Sequence, residues 1–87
     1  MVFNYFHDPG HGWIKITRRK LQEFGIHKSI STCSYESWDG KDVFLEEDDD
    51  ASKLFNVLKD KGISYTVRNH YSNKQSKIRN YPCYKPY

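Results

Sequence analysis

VFLEEDDDASKLFNVLKDKGI, residues Val43 to Ile63, decides how the rest of the chain is read. Val43 and Leu45 alternate in the period-two pattern of a strand with one buried face. An abrupt acidic turn follows. Asp48, Asp49 or Asp50 is expected there to cap a helix, because a short carboxylate accepts hydrogen bonds from the free N–H groups of the first turn. The clustered negative charge also suits the positive end of the helix dipole. Ala51, Leu54, Phe55 and Leu58 then fall at i, i+3, i+4 and i+7 and share one apolar face. Gly62 suits the left-handed residue that ends a helix, and Ile63 the hydrophobic contact after it. The stretch reads as a strand–helix–strand scaffold.

Working outward, Ile30 to Ser37 alternates as a strand, and Asp39-Gly40 is a hairpin signal. It predicts pairing of Cys33–Ser37 with Asp42–Glu46. Trp13 to Ile16 reads as a strand. Thr17 is the expected N-cap of a short helix, RRKLQEF, that buries Leu21 and Phe24 and closes at Gly25-Ile26. Ser64 to Asn69 is expected as the last strand, with Tyr65 and Val67 on one face. Val2 to Phe6 offers a further short strand before the tight reversal HDPGHG. The repeating order is β-α-β-β-α-β, which predicts an α+β fold of the ferredoxin-like, split-βαβ kind; an irregular α+β sandwich is the alternative. Residues 1–70 form this domain, and residues 71–87 are expected as a basic, Tyr-rich tail packed on it or extending from it.

The 87 residues are 37% hydrophobic and 16% aromatic with a mean hydropathy of −0.89, which suits one small core under a wet surface. No apolar run approaches the ~20 residues that span a bilayer. The N-terminus shows no basic segment followed by an apolar one, so no signal peptide is expected and the cytoplasm is the default location. Under those redox conditions Cys33 and Cys83 are expected as free thiols. The net charge of +3 hides a segregation: five basic and two acidic residues in 1–35, three and nine in 36–60, six and none in 61–87. Two faces of opposite sign steer charged partners.

Four groups of residues invite a chemical reading. His7, Asp8 and His11, with Trp13 beside them, compose the best metal or acid–base cluster by residue type, but no further His or Cys stands at a usual ligand spacing. A tight turn is favoured there over a metal-dependent enzyme, and no metal or cofactor is expected. Arg18, Arg19 and Lys20 crowd the first turn of a helix, where the dipole disfavours cations, so an anionic partner is a reason for their presence. Arg68, Lys74, Lys77, Arg79 and Lys85 interleave with Tyr71, Tyr81, Tyr84 and Tyr87. That mixture serves single-stranded nucleic acid and protein interfaces alike. The EEDDD run lacks the spacing of a calcium loop and reads as capping and solubility. No Gly-rich phosphate loop, nucleophile elbow or RNA-recognition sheet motif is present, so no enzyme is expected.

Several pieces carry a resemblance: HGW at His11 to Trp13, LQEFGI at Leu21 to Ile26, the Ser-Tyr at Ser34-Tyr35, FLEEDDDA at Phe44 to Ala51 with Leu54-Phe55, and IRNY at Ile78 to Tyr81. In these the chain resembles a set of small proteins of bacteriophages, prophages and plasmids. Asp49 stands where those proteins usually show a Cys, so no thiol role carries over. The resemblance implies an accessory protein of a mobile element. By analogy with anti-CRISPR proteins, its expected role is to bind and inhibit a host or defence protein complex, including a nucleoprotein. Direct nucleic-acid binding through the tail is the alternative.

Overall fold

The computed structural model describes residues 1–86, so the expected contribution of Tyr87 lies outside the described residues. The helix predicted in the opening stretch spans Ala51–Asp60 (α2) and buries Ala51, Leu54 and Leu58. Its end follows the sequence closely. Gly62 takes φ +65°, and the Ile63 N–H donates to the Leu58 carbonyl at 2.9 Å. The shorter helix Arg18–Glu23 (α1) ends the same way, with Gly25 at φ +72° and the Ile26 N–H on the Leu21 carbonyl. Both left-handed positions suit glycine, which has no Cβ to clash. Thr17 caps α1 as expected, its Oγ1 accepting from the Lys20 N–H at 3.1 Å.

Five strands form one mixed sheet: β1 (Val2–His7), β2 (Gly12–Thr17), β3 (Tyr35–Glu36), β4 (Asp42–Glu46) and β5 (Thr66–Tyr71), in the spatial order β3-β4-β2-β1-β5. The molecule is therefore a small single α+β domain. The expected β-α-β-β-α-β order gives way to β-β-α-β-β-α-β. The HDPGHG reversal makes β1 and β2 an antiparallel hairpin, and β1 enters the sheet between β2 and β5, pairing with β5 in parallel. The short strand expected at Val2–Phe6 is this additional β1, one residue longer at Val2–His7. The strand expected over Ile30–Ser37 shortens to two residues, since Ser31 and Ser34 turn toward Asp50 instead of extending the ladder.

Period-two alternation sorts the side chains onto two faces. Phe3, Ile14, Ile16, Val43 and Leu45 meet Leu21 of α1 and Leu54 and Leu58 of α2 in an aliphatic core. Trp13 and Phe44 lie on the opposite face, where Ile78 covers them with Phe6, Tyr35 and Tyr81 at the margin. Ile78 belongs to a 3-10 turn, Lys77–Asn80, so the C-terminal segment is a strap across the sheet. The strap then joins the β3 edge, where the Glu36 N–H donates to the Pro82 carbonyl and the Tyr84 N–H to the Ser34 carbonyl, both at 2.9 Å. Tyr84 is fully buried in the aliphatic core, and its hydroxyl donates to the His27 carbonyl. Trp38 is 76% exposed at the β3–β4 turn.

Candidate functional site

The HDPGHG loop does not gather its polar groups at one point. Asp8 is buried and holds the strap: its carboxylate accepts from Arg79 Nε at 2.7 Å and Nη2 at 2.9 Å, and from the backbone N–H groups of Gly10, His11 and Ser76. The Arg79 hydrogen bonds keep this carboxyl well below the usual carboxylate range despite its burial, with the three N–H donors reinforcing them. His7 lies on the helix side of the sheet, stacked between Tyr5 and Tyr71, with Nε2 3.0 Å from Asn69 Oδ1. His11 is on the strap side with Trp13. The candidate His7–Asp8–His11 cluster is thus taken apart by the strand pleat and by Arg79.

The first-turn cations separate as well. Arg18 is 9% exposed and bridges three elements, donating to the Gly40 carbonyl at 2.6 Å, the Lys85 carbonyl at 2.6 Å and Glu36 Oε1 at 2.8 Å, with its guanidinium over the Tyr84 ring. Its place in an unfavourable helix turn follows from these partners. Arg19 and Lys20 remain outward, both beside Glu23. Among the tail residues named from sequence, Tyr84 belongs to the core, Arg79 to the Asp8 clamp, and Tyr81 packs half-buried 5.3 Å from Phe44. Arg68, Lys74 and Lys77 are exposed, and among the described residues none has a carboxylate within ion-pair distance.

What the fold does assemble is a cavity of about 360 Å³ at the strap side, lined by His11, Trp13, Tyr35 and Arg79 and by the acids Glu46, Asp48 and Asp49 next to Cys33. The β2–β4 register sets Trp13 opposite Glu46, which brings the loop before β2 against the turn before α2. His11 Nδ1 lies 3.4 Å from Glu46 Oε1. Glu46 Oε2 accepts from the N–H groups of Asp48 and Asp49 at 2.9 and 3.0 Å, so this carboxylate, not one of the three aspartates, organises the acidic turn. Asp50 occupies the N-cap position without capping. Its buried carboxylate receives Ser31, Ser34 and Lys53 instead; burial pushes it up, and those hydrogen bonds outweigh burial and lower it. Tyr5, on the other face, donates to Glu47, and burial with that acid pushes its hydroxyl up to about 12. Cys33 is an exposed free thiol pushed up chiefly by its hydrogen bond with Asp49, which opposes formation of a reactive thiolate.

Glu46, Asp48 and Tyr35 were not legible as site residues, since no local spacing ties them to His11. The chain matches no family model, no curated protein and no solved structure.

Proposed function

We propose that the protein acts by binding rather than by catalysis: as an accessory protein of a phage or mobile element, it docks on an acidic surface of a host protein complex and blocks it. A defence assembly such as a CRISPR-Cas complex is the kind of target that the sequence resemblance suggests. The observation that carries this reading is the open edge of β5. The opposite edge, β3, is closed by the bridge between Tyr35 and Cys83, whereas among the described residues β5 pairs with β1 alone. An exposed strand edge is a template for strand addition by a partner. Around it stand Arg68, Lys74 and the 78%-exposed ring of Tyr71, cations and an aromatic surface of the kind that anchors protein interfaces. We read the sheet as a split-βαβ arrangement widened by β1, which leaves β5 at the rim.

The test is affinity capture from nuclease-treated host lysate with the wild-type chain and with an Arg68→Glu, Asn69→Pro variant. The Thr66 and Ser72 N–H groups donate to β1, so the alternating N–H of Asn69 faces outward and proline there blocks the edge without breaking the ladder. A protein retained by the wild type and lost by the variant supports the reading. Recovery of nucleic acid alone, abolished by nuclease and by moderate salt, replaces it with phosphate binding.

A further inference from the structure

We infer that the strap-side cavity is a binding site for a first-row divalent transition ion of the zinc class, held by His11, Glu46 and Asp48. One ligand atom from each of these side chains lies within 4.8 Å of the other two. Around a tetrahedral ion with bonds of about 2.0–2.2 Å, ligand atoms stand roughly 3.3–3.6 Å apart. His11 Nδ1 and Glu46 Oε1, at 3.4 Å, already have that spacing. Asp48 is exposed, so rotating its side chain brings its carboxylate to that spacing without moving the backbone.

The environment also asks for a cation. Glu46 is 8% exposed, and among the described residues its one ion-pair partner is His11. Arg79, which lines the same cavity, is committed to Asp8. The buried Glu46 carboxylate shares this cavity with Asp48 and Asp49, an arrangement that a divalent ion relieves. A second observation is independent of the acids. Trp13 lines the cavity at 1% exposure, and its indole Nε1–H is buried without an acceptor. Three protein ligands leave an ion an open position for water in this cavity. The mixed imidazole and carboxylate set suits zinc or manganese better than magnesium, which avoids nitrogen ligands. The ion would tie the β1–β2 turn to the turn before α2. This site stands apart from the β5 edge and does not rest on the docking reading.

The experiment is titration of the EDTA-treated full chain with ZnCl₂, by calorimetry and by thermal melts. One Zn²⁺ per chain is expected, with Tm raised by roughly 10 °C at a zinc concentration about 100 times Kd. His11→Ala and Asp48→Asn alter exposed side chains and are expected to melt like the wild type in EDTA while binding zinc at least tenfold more weakly. Wild-type affinity no greater than that of a chain carrying both His11→Ala and Asp48→Asn overturns the site. So does loss of zinc binding in His7→Ala or Cys33→Ser with His11→Ala unaffected.

Discussion

The two faces of the sheet are closed in opposite ways. On the helix side, aliphatic residues from β2 and β4, with Phe3 of β1, meet two amphipathic helices whose buried positions recur every three or four residues. On the strap side, aromatic residues are covered by a single isoleucine, and that cover is held by a bidentate ion pair between Asp8 and Arg79. The first face needs only local periodicity to form. The second leans on long-range polar contacts, the Asp8–Arg79 ion pair foremost where the strap crosses the sheet, so a single polar substitution there should loosen it.

The largest expected effect is on the helix side. Leu54 is fully buried, and Leu54→Ala should lower stability by about 3–4 kcal/mol through lost burial and the cavity left behind; urea denaturation measures it. A loss below 1 kcal/mol would mean that this face repacks freely. Breaking the clamp comes next. Asp8→Asn removes the charge facing Arg79, whose side chain is 26% exposed. The cost should be about 2 kcal/mol, less than for a fully buried pair because water reaches the arginine. Protease sensitivity confined to the segment after Tyr71 should accompany it, whereas cleavage spread through α2 would contradict the division between faces.

Acid sharpens the same contrast. Asp8 stays charged in the folded state far below its ordinary value of 3.8. Its contribution is therefore complete above about pH 4 and is lost as the pH falls, because the unfolded chain takes up the proton first. Between pH 5 and pH 2 the wild type should lose stability more steeply than Asp8→Asn, and parallel curves would remove the clamp from the account. The smallest effect belongs to neither face. Arg68→Glu at the β5 edge should change stability by less than about 0.5 kcal/mol, so any loss of partner capture in that variant reports on the surface.

Both helices were legible because their signals are local: a capping threonine, apolar residues three and four apart, and a glycine followed by isoleucine at each end. The Asp39-Gly40 hairpin was legible for the same reason, and the Ser37 N–H to the Asp42 carbonyl at 2.9 Å closes it. The acidic turn was half legible. Its position before α2 followed from composition, but Glu46 organises it and Asp50 faces the Ser31–Ser34 loop, choices made by which carboxylate is buried and which donors reach it.

By itself, then, the sequence determined the α+β class, the two helices and their stops, and the segregation of charge, because these depend on residues within a few positions of one another. Only the tertiary structure decided that β1 stands between β2 and β5, that Arg18, Arg79 and Tyr84 are internal, and that His11 faces Glu46 while His7 lies on the other side. The physical reason is sequence separation. Asp8 and Arg79 are 71 positions apart, and nothing in the neighbourhood of either names the other until the sheet brings the first turn of the chain under its last.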